Sequence, residues 1–383
     1  MPTVTVASED FSRAIAAAKN VVAGRTTMPI FECVLISARD GVMRVAATSA
    51  DHAVETDIPA QGDGSWVLSH ARLAAFTGAI QRGKPVTITG DGLASLRCGS
   101  VAARISSLSP QDFPAFSEMP AFSANPTWQG ASFPSILSRI AMCCEDRPGM
   151  LAARAIHIKI NGTSGRAYGL NGFMLARQDF TTDAPADVAL SIDMTSAPVI
   201  ASLFEKGPVW VAQHGRTLWM KGGGTIYHAK TVDCEPPDQF GALEYVPGET
   251  ISADMEGVTR ALKAVQSMAA GKERAVVFNV SQEGSFIGAN DGASALCVPF
   301  DADGAGHVSS KFNGDVLRRV LSAYGGETVQ FGWRDKLSTG ASTPSLTFTG
   351  AGFFGLIMPL KTNASEIEDV LSAWRVSPER EAA

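Results

Sequence analysis

The chain has 383 residues, 45% of them hydrophobic and 18% charged, with a formal net charge of −6 at pH 7. That length exceeds one ordinary core and predicts two or three domains, while the acidic balance excludes a generally basic nucleic-acid coat but leaves local basic patches open. No secretory apolar region follows Met1, no run approaches membrane-spanning length and the six cysteines (33, 98, 143, 144, 234, 297) form no C-x-x-C pair, so a cytoplasmic protein with buried, reduced thiols is expected.

The predicted elements recur with one period. A helical pattern over 9–22 starts at Phe11, with Ser8 as its expected N-cap ahead of Glu9 and Asp10. "GVMRVAATSAD" from Gly41 reads as a strand and small turn, 70–82 as a second helix, and "GKPVTITG" as a strand around Val86. The same series returns as a helix over 132–146 opened by Phe133, "GRAYGLNG" from Gly165, a helix over 194–206, and Val209 in "KGPVWVAQ". It returns again as a helix over 255–270 opened by Met255, "GSFIGANDG" from Gly284, a helix over 312–324, and Val329 in "GETVQFGW". The helix openings are 122 and 122 residues apart, the glycine-led strands 124 and 119, and the later strands 123 and 120. Agreement of three unrelated markers identifies an internal repeat. The expected fold class is therefore α+β: three similar domains over 1–122, 126–246 and 249–361, each of antiparallel sheets plus two helices, followed by a tail over 362–383.

All six helices carry cations on or beside their polar faces: Arg13 and Lys19, Arg82 with Lys84 behind it, Arg139 and Arg147, Lys206, Arg260 and Lys263, and Arg318 and Arg319. A solvated surface explains any one of them. Six of six in an acidic protein point instead to a helix layer that meets phosphates without reading bases. Enzymatic readings lack support. No P-loop, G-x-S-x-G or H-E-x-x-H is present, the histidines have no metal-ligand spacing, and "KGGGT" (221–225) lies between strands as a hairpin turn. No catalytic residue, metal or cofactor is predicted.

"GRTTMPIFECVLIS" (24–37), "SSLSPQDFPAF" (106–116), "GLNGFMLA" (169–176), "TVDCEPPD" (231–238), "KFNGDVLRRVL" (311–321) and "LIMPLK" (356–361) have the order and spacing of one family. Over residues 1–361 the chain resembles the bacterial DNA polymerase III beta subunit, the beta sliding clamp, as a divergent member. The resemblance implies the DNA-clamp fold in a ring-shaped homodimer. Helices would line its hole and sheets would form its outer skin. It further implies a non-catalytic processivity factor of DNA replication that encircles duplex DNA non-specifically, with the polymerase III catalytic subunit and the clamp loader as partners and no membrane. Arg25 matches the family's basic residue in its "GRxTxPI" turn.

Family members bind partner peptides in a hydrophobic pocket whose wall ends in "MPxR". Leu356, Ile357, Met358, Pro359, Leu360 and Lys361 match that wall, Gly172 and Leu175 a loop, Pro237 a proline, and Asn313, Val316 and Ser345 third-domain positions. The chain departs from the family's "TDGHRLA" at Leu170, Asn171, Gly172, Phe173, Met174, Leu175 and Ala176, which predicts a greasier rim and altered peptide preference. The dimer contact implied joins an edge strand near 101–108, with Ala103 and Ile105, to the region of Met268. Two rival readings stay open: a clamp-like decoy that keeps the pocket but is not loaded on DNA, and a sequence-specific DNA regulator, which lacks a helix-turn-helix pattern.

The tail lies beyond the family pattern. Ser365 and Glu368 form a capping-box spacing, Ile367, Val370, Leu371 and Trp374 recur helically, and Pro378 is a stop signal. Such a short helix must dock. It either buttresses the third domain's outer surface or reaches the peptide pocket beside Met358 and Pro359, where it would compete with partners.

Overall fold

In the computed structural model, which describes every residue except 23–25, 50, 117, 130–131, 147–148, 235–246, 270, 272, 305, 334–344, 362–363 and 376–383, a strand leads directly into the first helix. The opening series is β1 (Thr3–Ala7), α1 (Ser8–Ala18), β2 (Cys33–Arg39), β3 (Val42–Thr48), β4 (His52–Ser69), α2 (His70–Ala79), β5 (Pro85–Thr89), β6 (Leu93–Cys98) and β7 (Val101–Ser106). Next come α3 (Ser132–Ala141), the single turn α4 (Leu151–Arg154), β8 (Ala155–Leu170), β9 (Met174–Asp193), α5 (Ser196–Leu203), β10 (Trp210–His214), β11 (Thr217–Gly222) and β12 (Thr225–Lys230). The third series is β13 (Glu249–Asp254), α6 (Met255–Val265), β14 (Ala275–Ser281), β15 (Gly284–Asn290), β16 (Ala295–Pro299), β17 (Ala302–Asp303), β18 (Val308–Asn313), α7 (Gly314–Tyr324), β19 (Thr328–Trp333), β20 (Leu346–Gly350) and β21 (Phe353–Ile357). A last helix, α8 (Ala364–Arg375), follows.

Local chemistry explains these elements. In α1, Phe11, Ala14, Ile15 and Ala18 are buried at i, i+3, i+4 and i+7, the stripe that holds an amphipathic helix to a core. Its start differs from expectation: Ala7 is the N-cap, and Ser8 lies inside the helix with its hydroxyl donating to the Glu9 carboxylate at 3.0 Å. The Asp254 and Asn313 side chains do cap α6 and α7, accepting backbone N–H groups of the first turn. Gly223 and Gly224 both have positive φ, +56° and +77°, where β11 turns into β12, so the glycine run closes a two-residue hairpin.

Contacts gather the chain into two compact units, Met1–Ser135 with Ile160–Thr163 and Thr182–Val232, and Ile136–Lys159 with Ser164–Thr181 and Asp233–Ala383. The first contains one sheet in the order β10-β11-β12-β4-β1-β5-β6-β7, with β2 and β3 beside β4. Its core includes Phe11, Trp66, Trp219 and Tyr227, and the Tyr227 hydroxyl bonds His52 Nδ1 at 2.8 Å. In the second unit β17-β13-β19-β20-β21 continue into the first half of β9, and β16-β15-β14-β18 form a separate four-stranded sheet. Two joints explain why three sequence periods make two compact units. The last strand of the second series, β12, pairs antiparallel with β4, Thr225 opposite Thr56, and the last strand of the third, β21, pairs with β9, Phe353 opposite Gln178.

Helix α8 docks on the four-stranded sheet. Val370 is 1% exposed and packs with Val277 and Phe286, joined by Ile367, Leu371 and Trp374. The Trp374 ring stacks on Phe286 with centroids 4.6 Å apart, and Lys311 donates to Glu366 at 2.8 Å. Leu371 and Trp374 thus sit in this cluster and not with Met358, which overturns the pocket-reaching alternative. The helix also starts one residue before the expected cap, so Ser365 lies within its first turn, while Pro378 falls outside the described residues.

Candidate functional site

Two features of the chain point to function: an apolar cluster in the second unit, and cations distributed along the helices of both.

The cluster arises from strand alternation. Leu175 on β9 faces Leu356 on β21 as a register pair, and both are 2% exposed. Phe354 completes the buried part, and Tyr168, Leu170 and Met358 pack on it while remaining partly open to solvent. Phe173, at 47% exposure, stands on the connecting turn. Gly172 makes that turn possible, with φ of +86°. Asn171 is fully buried beneath it and accepts the N–H groups of Phe173 and Met174 at 3.0 and 3.1 Å. The end of the strand is tied to the turn, because the Met358 N–H donates to the Phe173 carbonyl at 2.8 Å. The Leu360 N–H donates to the Lys311 carbonyl at 2.8 Å, so Pro359 lies where the chain leaves the ladder, as a residue without an amide hydrogen must.

The rim is less apolar than expected. The Arg177 guanidinium lies over the Phe354 ring, 5.4 Å from its centroid, and pairs with Asp179 at 3.1 Å. Arg166 also bonds Asp179, at 2.5 Å, and the Tyr168 hydroxyl at 3.1 Å. These arginines, from the strands flanking the turn, were missed because they lie outside the matched motif. Other expected pocket residues have different surroundings. Met174 and Ile357 are buried, Val316 is 8% exposed, and Ser345 is inaccessible. Asn313 is the N-cap of α7, its side-chain oxygen accepting from Asp315 and Val316. Lys361 is exposed and Pro237 lies outside the described residues.

The cations divide into free and engaged groups. Lys19, Arg82, Lys84, Lys206, Arg260 and Lys263 are exposed. Arg318 is also exposed, 4.0 Å from Asp315, and Arg13 pairs with Asp10 at 2.8 Å and reaches the Gly223 carbonyl. Arg82, Lys84 and Lys206 follow helices α2 and α5 in the next turn, whereas exposed Arg72, absent from the sequence reading, is on α2 itself. Arg25 and Arg147 fall outside the described residues.

Two expected phosphate-facing residues are corrected. Arg139 on α3 donates to the Tyr324 carbonyl at 3.1 Å, the last residue of α7, and burial lowers its pKa. Arg319 on α7 donates to the Met142 and Cys144 carbonyls at 2.7 and 2.5 Å, just past the end of α3. Each helix thus supplies the cation that satisfies the other's terminal carbonyls. These guanidiniums lock α3 to α7 rather than stand free.

The expected dimer residues are also revised. β7 ends its sheet with no second strand partner among the described residues, but the Ile105 side chain is 2% exposed and points into the core. Ala103 and Met268 are half-buried. What β7 offers is a backbone edge, since alternation turns its apolar side chains inward. No group of His, Cys, Asp and Glu that could hold a metal ion is found among the described residues, and no described helix is long and apolar enough to cross a membrane.

Comparison with known proteins places this geometry. Residues 3–117 match the family "DNA polymerase III beta subunit, N-terminal domain". The chain is 25% identical over 182 residues to the beta sliding clamp of Streptomyces coelicolor, a match covering 46% of this chain and 47% of that relative. In structure it is similar to the sliding clamp of Pseudomonas aeruginosa bound to griselimycin, with a TM-score of 0.84 and 17% identity, over 94% of this chain and 100% of that one. The beta subunit of Thermotoga maritima gives 0.82 at 16% identity, over 95% and 100%. Residues 3–117 thus match the DNA polymerase III beta subunit family in sequence, and nearly the whole chain has the fold of the solved sliding clamps.

Proposed function

We propose that the chain is a DNA sliding clamp: a non-catalytic processivity factor whose three domains, over 1–122, 126–246 and 249–361, close as a homodimer around duplex DNA. The observation that carries this reading is the sliding-clamp fold of nearly the whole chain. Strand pairing supports closure. The first half of β4 pairs with β3 and, on its other edge, with β12. β16 pairs with β15 in the same way, and its outer edge has no strand partner among the described residues. β7, like β12 and β21, is the last strand of its series. A second copy therefore supplies β7 to β16 and completes a third joint of the kind the chain makes twice, with Ala103, Ile105 and Met268 near it.

The exposed cations Lys19, Arg82, Lys206, Arg260, Lys263 and Arg318 suit sequence-independent phosphate contact, with Arg25 and Arg147 as further candidates. The cluster of Leu175, Phe354 and Leu356, open at Leu170, Phe173 and Met358, suits short peptides with an aliphatic and an aromatic anchor, the class through which a polymerase or clamp loader would attach. Loading on nicked circular DNA is the test. The clamp should stay on the circle and be lost when the circle is cut. Retention after linearisation would refute sliding. Binding of griselimycin, followed by thermal shift and displaced by a pentapeptide ending Leu-Phe, would test the pocket separately.

A further inference from the structure

A polar path, buried at Asn171 and partly open at Glu145 and Arg319, runs from helix α7 to the turn that carries Phe173. Asn171 is 0% exposed, and its side-chain amide bonds in two directions. Oδ1 accepts the Phe173 and Met174 N–H groups, while Nδ2 donates to Glu145 Oε2 at 2.8 Å. Glu145 is held in turn: its N–H donates to the Ala153 carbonyl at 2.8 Å, and its carboxylate lies 4.0 Å from Arg319 Nη1. Arg319 also grips the carbonyls of Met142 and Cys144, immediately before Glu145. At the far end, the Phe173 carbonyl receives the Met358 N–H. Neither Glu145 nor Asn171 presents a side chain suited to meeting an apolar peptide.

We infer that Glu145 and Asn171 are positioning residues for the peptide site: they set the 171–174 turn, and through it the spacing of Phe173 from Met358, with Arg319 anchoring them to α7. The inference rests on the pocket reading above and deepens it. Rigid presentation matters at such a site because a rim that must be ordered on binding lowers affinity without any change in contacts. A charge-assisted hydrogen bond to a buried amide is strong enough to impose that order.

Asn171→Asp tests the path without breaking the turn, since an aspartate still accepts both N–H groups but sets a second negative charge against Glu145. Affinity for a fluorescein-labelled pentapeptide ending Leu-Phe should fall about tenfold, the order expected when a charge-assisted bond is lost. Glu145→Gln in the same chain should restore it to within about threefold, because a glutamine amide can donate to the new carboxylate. Amide hydrogen exchange provides a second readout that needs no ligand. In Asn171→Ala the Phe173 and Met174 amides should exchange faster, and the Met358 amide should follow them. Wild-type affinity in Asn171→Asp, a failed rescue, or an unaltered Met358 amide in Asn171→Ala overturns the inference. Failure of the wild-type protein to bind the pentapeptide would refute the pocket reading instead, and the exchange data would still judge the path.

Discussion

The packing of α8 makes a prediction that two single substitutions and their combination can decide. A Cβ placed on Gly288 of β15 would lie 2.5 Å from Val370 Cγ1, 3.0 Å from Cys297 Sγ and 3.3 Å from Phe286 Cε2. Gly288→Ala therefore forces the helix off the sheet or the side chains out of their rotamers, and should destabilise by about 1–3 kcal/mol. Val370→Ala removes two methyl groups from a site 1% exposed. At about 0.8 kcal/mol per buried carbon, plus a cavity contribution, it should cost about 2 kcal/mol. The two changes act on the same space, because the methyl added at position 288 enters the volume that Val370 Cγ1 leaves. The double variant should then be no less stable than either single one, falling about 2 kcal/mol short of the sum of their costs. Opening free energies of α8 amides, measured by native-state hydrogen exchange, report this locally. Additive costs within about 0.5 kcal/mol, or α8 amides that exchange at unfolded-chain rates in the wild-type protein, would refute the packing account.

Truncation after residue 361 should lower the melting temperature and expose Phe286 and Val277, yet leave pentapeptide affinity unchanged, since α8 packs on a cluster separate from Leu175, Phe354 and Leu356; tighter peptide binding would restore the competing-tail reading. Removing the engaged cations should act on stability: Arg319→Ala is expected to cost about 2 kcal/mol in denaturant unfolding by leaving carbonyls at the end of α3 without their partner. Charge reversal at exposed Arg260 and Lys263 should leave stability within about 0.5 kcal/mol but weaken binding to DNA, most visibly at low salt. Burial, then His52 and Lys230 nearby, lowers the His228 pKa to about 4, so the folded state disfavours its protonation. Because the folded value lies below the unfolded one of about 6.5, stability is complete above pH 6.5 and declines as pH falls toward 4, by about 1–2 kcal/mol for this partly exposed group. Thermal melts across that window should lose this slope in His228→Gln.

The sequence by itself carried whatever depends on local period. The near-120-residue spacing and the helical pattern that starts at Phe11 were legible because helices and strands repeat every 3.6 and 2 residues and bury one side. Six helices fall where that pattern places them, with ends trimmed by a few residues, and the glycine hairpin at 223–224 follows from local chemistry alone. The departure of the chain from its strand at Pro359 was legible through the rule that proline leaves a ladder. Side-chain partnerships across long sequence separations were not. Arg139 and Arg319 look like any exposed cation on a helix's polar face, and only the approach of α3 to α7, with Tyr324 185 residues from Arg139, turns them into caps. The pleat of β7 sends Ile105 inward, a choice of face that a strand's sequence leaves open until its sheet is packed. The tail's stripe predicted docking but not where. The missing side chain at Gly288 leaves the space in which Val370 packs against Val277 and Phe286, a fit that only the assembled sheet reveals.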